Sequence, residues 1–346
     1  MGPRGPGASR AAAAALGASV LGLGAYWYAV RETIPFTGRR HSVLFVSPEM
    51  ERQMGVQTFE HMRAEAAAKG ALLPDAHPAS RLVARVGRRI AAAAAEGDGE
   101  YGGGGEYGGG GGSSSSISSS SSSSSTSSSS SPSSSSSGAI KHMRGLKWEF
   151  AVVDSPQVNA MVAPGGKVIV YTGLLRLVGG DEDELAAVLA HEAAHVLARH
   201  HAERMGRANA AAFLNVVARW LLGVPVPGAV VALALVLPHS RANEREADAI
   251  GVRLAARACY DPAANVRMLQ RLARAEGAKE GGGGGGGGGV FAILRTHPIT
   301  AERVEAVRAL LPRARGEYEA RCGARVAVLL EQTAWATAAA APGPLG

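Results

Sequence analysis

The chain has 346 residues, enough for one or two domains, with 36 Lys and Arg against 29 Asp and Glu and a formal net charge of +7. The basic residues are scattered, mostly Arg on alanine-rich stretches, and no basic strip is interleaved with aromatics. Nucleic-acid binding is therefore disfavoured, and attraction to an anionic membrane surface is favoured. Much of the length is not core. Residues 102–112 are mostly glycine, 113–137 almost all serine and 281–289 all glycine, compositions that cannot bury enough apolar surface to offset their ordering entropy. They read as disordered insertions in surface loops of roughly one globular domain.

Residues 11–30 carry no charge, and Tyr26-Trp27-Tyr28 stand just before Arg31. At about 1.5 Å per residue, such a helix spans roughly the 30 Å of a bilayer's hydrocarbon, and the aromatic cluster suits its interface. A membrane anchor is the favoured reading. A cleaved signal peptide and the end of an organellar targeting segment are the alternatives, and Arg4 and Arg10 suit all three. Ser47-Pro48-Glu49 marks a helix start, with Ser as N-cap and Pro in the first turn. Met50, Met54, Phe59 and Met62 recur at near-helical spacing and read as core packing. A second helix is expected from about Ala79 to Ala95.

After the serine tract the pattern changes. Residues 148–153 read as a strand, and 158–163 and 167–172 flank Pro164-Gly165-Gly166 as a β-hairpin leading straight into the next helix. Its edge, at Asn159, Ala160 and Met161, is a place where an extended peptide can add by main-chain hydrogen bonds; a plain structural hairpin is the alternative. In the next helix, the acids from Asp181 to Glu184 suit a helix N-terminus, and Leu185, Val188, Leu189 and Val196 form an apolar stripe. Within it stands H-E-x-x-H, as His191-Glu192-Ala193-Ala194-His195. Histidines at i and i+4 share a face and can grip one metal ion, with Glu192 beside them as a proton acceptor.

The helix is expected to run on through Arg199-His200-His201 to about Trp220. Residues 220–237 are again uncharged but contain Gly223, Pro225, Pro227 and Gly228. A helical hairpin whose apolar arm packs internally or touches the membrane interface is favoured over a true span. Such a hairpin returns the chain to the metal at about residue 240, where Glu244 and Asp248 lie at i and i+4. Glu244 then supplies the third ligand. Two His and one Glu with an open fourth position make a catalytic zinc arrangement. Asp248, one turn on, is placed to accept from a ligand imidazole N–H. Glu246 is two residues from Glu244, is expected to face elsewhere, and is left out of the site. Cys259 and Cys322 could pair, but two cysteines make no disulfide framework, and free or buried thiols are expected.

The combination of H-E-A-A-H, then Glu244-Arg245-Glu246-Ala247-Asp248, then Thr296-His297-Pro298 followed by Arg303, resembles the zinc endopeptidases that include the CAAX-prenyl endopeptidases and the HtpX-type proteases. The phrases at 34–41 (IPFTGRRH), 47–55 (SPEMERQMG) and 158–166 (VNAMVAPGG) narrow the resemblance to the mitochondrial Oma-type metallopeptidases. It covers about Ile34 to Pro312, interrupted by the glycine and serine tracts, which have no place in the family pattern. The resemblance implies an α+β, mostly helical, zincin-like domain with a small sheet. It implies one Zn2+ on His191, His195 and Glu244, Glu192 as general base, and a role near the metal for His297, either as transition-state donor or as a closing ligand in a resting state.

The resemblance further implies a protease of the mitochondrial inner membrane, facing the intermembrane space, that cleaves membrane proteins under stress. Its partners would be polypeptide substrates and membrane lipid, with oligomers open. The N-terminus is shorter than a full presequence plus anchor, so a longer parent chain is expected. The expected organisation is a targeting or anchor segment at 1–46, helices of the peptidase domain at 47–96, the Gly/Ser insertion at 97–139, a metallopeptidase core at 140–313 and an extension at 314–346. Two other classes stay open. One is a soluble secreted or periplasmic-type zinc peptidase with 11–30 as its signal. The other is a non-proteolytic membrane scaffold or chaperone retaining the fold, against which the complete His/Glu/His/Glu set argues.

Overall fold

The structure, a computed structural model, describes residues 21–22, 24–26, 28–29, 31–43, 46–96, 141–143, 145–222, 237–280 and 291–339. The glycine and serine tracts, most of 11–30 and residues 223–236 of the second uncharged stretch lie outside them. Among the described residues no helix is long and apolar enough to cross a membrane.

A three-stranded sheet carries the site. Strands β3 (Glu149–Val153), β4 (Ala160–Ala163) and β5 (Lys167–Tyr171) lie in the order β3-β5-β4. β4 runs antiparallel to β5 and β3 parallel to it, with Val152 opposite Val170 and Met161 opposite Ile169. The tight link from β4 to β5 depends on Gly165 and Gly166 at φ +87° and +77°, backbone that a Cβ disfavours. Side chains alternate across the sheet. Val152, Ala160, Val162, Val168 and Val170 enter the main core with Val83, Val86 and Ile90 of helix α2 (Pro78–Glu96). Ala151, Val153 and Ile169 face Phe59 and Ala66 of helix α1 (Pro48–Ala68).

Helix α1 starts as its sequence predicts, with the Ser47 hydroxyl accepting from the Met50 N–H at 3.1 Å. The methionine pattern divides, however. Phe59 and Met62 pack on the sheet, whereas Met50 and Met54 are 47% and 42% exposed. The first turns of α1 overhang a cleft instead of covering the sheet, and Met54 lines that cleft. The hairpin does not lead straight into the motif helix either. A short helix, α3 (Thr172–Val178), intervenes and is stopped by Gly179 at φ +62°.

The motif helix is α4 (Glu182–Leu197), capped by the Asp181 carboxylate, which accepts from the N–H groups of Asp183 and Glu184 at 2.9 and 3.1 Å. Leu185, Val188, Leu189 and Val196 are buried, but so are Ala186, Ala190 and Ala194 on the other faces. A helix apolar all round belongs in the centre of a fold. It stops at Leu197 and does not run on to Trp220. Arg199 takes a left-handed φ of +53°, and helix α5 (His200–Leu222) begins afresh. The break places the Arg199 guanidinium inside the protein. There it donates to Glu51 at 2.9 Å, Glu32 at 3.2 Å and the Val46 carbonyl at 3.3 Å.

Helices α6 (Leu237–Arg257), α7 (Ala264–Glu280), α8 (Ala292–Thr296) and α9 (Ala301–Ala339) complete the chain. A Cβ on Gly251 would stand 3.1 Å from the His191 backbone, so glycine lets α6 lie close against α4. Cys259, just past α6, is joined by a disulfide to Cys322 on α9, the Cα atoms 5.7 Å apart. This corrects the expectation of free thiols. The 63-residue separation carries no pairing signal, and the pair is made by α9 packing along α6. An N-terminal hairpin, β1 (Arg31–Thr33) and β2 (Arg40–Ser42), closes over the same helix. Its loop buries Ile34 and Phe36, and the guanidiniums of Arg253 and Arg257 lie 4.8 and 4.6 Å from the centre of the Phe36 ring.

Candidate metal centre

α4 and α6 bring His191, His195 and Glu244 to one point, and the loop after α8 adds His297. Donor atoms of these four residues all lie within 4.8 Å of one another. His191 Nε2 and His195 Nε2 are 3.2 Å apart. The Glu244 carboxylate stands 3.4 Å from the first and 3.5 Å from the second. His297 Nδ1 is 2.9 Å from Glu244 and 3.4 Å from His191 Nε2. The nine glycines therefore do not keep His297 from the helix. Arg303 holds its loop in place, donating to the Pro298 carbonyl at 2.8 Å.

The other nitrogens of the two motif histidines are spoken for. His191 Nδ1 lies 3.0 Å from Asp248, which Arg303 grips through two N–H groups at 2.8 Å each. His195 Nδ1 lies 2.8 Å from His200 Nδ1, and His200 Nε2 lies 3.0 Å from Glu246. Both Nε2 lone pairs are thus turned toward the carboxylate of Glu244. Two imidazoles and a carboxylate converging in this way suit zinc.

Burial alone would raise the Glu244 carboxyl, but hydrogen bonds from His191 and His297 outweigh it and hold the group ionised, as a ligand must be. For Asp248 the same contest is won by Arg303 and His191. Burial lowers His195 well below its ordinary value, and the positive charge of His191 adds to it, so its ring stays neutral and able to donate a lone pair. Burial also presses on His191, but Asp248 and Glu244 outweigh it and lift it to about 10, so without metal a proton sits where the cation would go.

Glu192 is buried on the next position of α4. Its Oε2 accepts from the Val162 N–H of β4 at 3.3 Å, while Oε1 has no hydrogen-bond partner although His297 Nε2 is 3.2 Å away.

A cleft of about 470 Å3 opens over these groups. Met54 and Thr58 of α1 form one wall, Asn159 with Ala160 and Met161 of β4 another, and His201, Arg204 and Met205 of α5 the third, with Glu192, His195, Glu244 and His297 on the floor. β4 is an edge strand. Since Asn159 O bonds Tyr171 N and the Val162 N–H turns to Glu192, the alternation of an antiparallel ladder leaves the main-chain groups of Ala160 and Val162 facing the cleft. Sequence reasoning passed over His200, Glu246 and the brace made by Arg303. Glu246 does face away from Glu244, as expected, yet it is buried and joined to the centre through a residue beyond the helix break.

A buried H-E-x-x-H helix, a carboxylate donor from the following long helix and a glutamate held against an edge strand define a metallopeptidase of mixed α and β structure. Residues 135–311 match peptidase family M48, and the chain belongs to that family. It is 31% identical over 305 residues to mitochondrial metalloendopeptidase OMA1 of Schizosaccharomyces pombe, covering 88% of this chain and 73% of that protein. It is 37% identical over 178 residues to the OMA1 of Saccharomyces cerevisiae, covering 51% of this chain and 50% of that protein. It is 27% identical over 183 residues to the beta-barrel assembly-enhancing protease of Escherichia coli, covering 49% and 36%. The protein is a zinc metalloendopeptidase.

Proposed function

We propose that this enzyme works in mitochondria, at the inner membrane and toward the intermembrane space, hydrolysing peptide bonds in membrane proteins as part of protein quality control. The mitochondrial names of its relatives and the uncharged segment at 11–30 support that setting. We assign the metal to His191, His195 and Glu244, general-base catalysis to Glu192, support of His191 to Asp248, and substrate alignment to the strand at Asn159, Ala160 and Met161. The observation that carries the reading is the outward edge of β4 running past Glu192 on the floor of the cleft.

When bound, zinc supplies Lewis acidity to the scissile carbonyl and lowers the pKa of water. The chain does the rest. An extended peptide adds along β4 through the outward main-chain groups of Ala160 and the carbonyl of Val162, the Val162 N–H being held by Glu192. Glu192, its Oε1 unsatisfied, takes a proton from the attacking water and returns it to the leaving amine. His297, whose Nε2 stands 3.2 Å from Glu192 Oε1, would donate to the developing oxyanion once it carries a proton at Nε2.

Glu192→Gln tests the assignment. Zinc content should stay at the wild-type level while cleavage of a reporter peptide falls by about 10²- to 10⁴-fold, the usual worth of a positioned general base. Cleavage at the wild-type rate would remove Glu192 from the mechanism. In Glu244→Ala, bound zinc itself should fall, and an unchanged zinc content would end the ligand assignment. Membranes extracted with carbonate should retain the protein if 11–30 anchors it.

A further inference from the structure

Asp248 and Arg303 account for one histidine of the motif. The other is held from a different direction. His195 Nδ1 meets His200 Nδ1 at 2.8 Å, and His200 Nε2 meets Glu246 Oε2 at 3.0 Å. The Glu246 carboxylate is in turn gripped at both oxygens: Thr37 Oγ1 donates to Oε1 and Arg39 Nε to Oε2, each at 2.7 Å. Thr37 and Arg39 stand in the loop and at the end of the N-terminal β1–β2 hairpin, more than 150 residues from the motif in sequence. The loop is anchored by buried Ile34 and Phe36 and by the Arg253 Nη1–H, which donates to the Phe36 carbonyl at 2.9 Å.

The chemistry of this chain gives it a direction. A carboxylate only accepts, so His200 donates from Nε2. A ring carrying one proton then has an acceptor lone pair at Nδ1, and that lone pair takes the proton of His195 Nδ1–H. The lone pair left on His195 is at Nε2, the atom 3.2 Å from His191 Nε2 in the metal-donor set. Turn the order round and His195 presents an N–H to the metal, which cannot bind. We propose that Glu246 and His200 are positioning residues of the metal centre, and that Thr37 and Arg39 make the N-terminal hairpin a working part of it by holding Glu246 as the acceptor that sets the His195 tautomer.

The inference rests on His195 being a metal ligand, and the experiment separates the two. The full chain, purified in detergent, is compared as wild type, His195→Ala, Glu246→Gln, Thr37→Val and Glu184→Gln. Zinc affinity is read by competition with a chromogenic chelator, ligand geometry by the visible spectrum of the Co2+ form, and folding by the melting of the metal-free protein. Glu246→Gln should weaken zinc by about 10- to 100-fold, the usual effect of losing such outer support, and change the Co2+ spectrum. Thr37→Val, which removes one hydrogen bond at the far end, should weaken zinc by a few-fold while lowering metal-free melting less than Glu184→Gln does.

Glu184→Gln breaks a buried carboxylate–Arg271 pair two turns earlier on α4. It should lower the melting temperature and leave zinc affinity alone. Equal zinc loss in Glu184→Gln and Glu246→Gln would mean general loosening and would overturn the proposal. So would wild-type zinc affinity and Co2+ spectrum in both Glu246→Gln and Thr37→Val while His195→Ala loses zinc. If His195→Ala keeps wild-type zinc affinity, the ligand reading itself fails.

Discussion

Two acids on one turn of α6, Glu244 and Glu246, have opposite surroundings and separate tasks. Glu244 faces the histidines, whereas Glu246 faces His200, Thr37 and Arg39. Burial pushes the Glu246 carboxyl up, but its hydrogen bonds to His200, Arg39 and Thr37 outweigh this and hold it at about 2 against an ordinary 4.5. A carboxyl depressed in the folded state binds its proton more tightly when unfolded, so it contributes stability above pH 4.5 that disappears as pH falls toward about 2. The melting temperatures of wild type and Glu246→Gln should therefore converge as pH falls through that window and stand apart above it. Parallel curves from pH 5 to 2 would show that Glu246 is not the group responsible. The cluster of His191, His195 and Glu244 was legible in the sequence, because H-E-x-x-H and an acid pair at i, i+4 put its geometry into local spacing. Glu246 was not legible, since its partners come from a hairpin and a helix start that no local pattern links to it.

At the scale of elements, the joint between α4 and α5 decides where the second half of the cleft goes. Periodicity alone predicts one helix through this region, because Arg is a good helix former and the apolar pattern continues. The chain breaks there for a tertiary reason: at the break the Arg199 guanidinium is buried against Glu51, Glu32 and the Val46 carbonyl. Glu51 is itself buried on α1, so the joint also fixes the cleft wall that carries Met54 and Thr58. Arg199→Ala would take the guanidinium away from the buried Glu51 carboxylate. Removing one partner of a buried pair costs about 3–5 kcal/mol. Urea denaturation should place the midpoint of that variant well below wild type. Arg199→Ala combined with Glu51→Gln should recover part of the loss, because the charge that the guanidinium faced is removed with it. No recovery in the double variant would assign the cost to the backbone break instead.

For the whole molecule, the three strands of the central sheet, the first two helices and the motif helix were predictable because each follows from a run of neighbouring residues. What tied them together was not. The parallel pairing of β3 with β5, the closure of the N-terminal hairpin over α6 and the Cys259–Cys322 bridge all join segments far apart in the chain. The bridge matters most at this scale, since it fastens α9 to the helix that carries Glu244 and Glu246. Arg253 and Arg257 of α6 add a second fastening a few residues away, donating to the buried Glu317 of α9 at 2.6 and 3.0 Å. A loop of 63 residues closed by a disulfide restricts the unfolded chain by about 4 kcal/mol in the chain-entropy account. Cys322→Ser should lower the unfolding free energy by about that amount. Because the Glu317 contacts remain, it should leave the zinc affinity of the folded protein within a few-fold of wild type. Denaturant curves with and without a thiol reductant separate the cases. Wild type in reductant should superimpose on Cys322→Ser, and reductant should not move the variant at all. A wild-type curve indifferent to reductant would mean that the bridge contributes nothing and that the other contacts between α9 and α6 hold α9 in place.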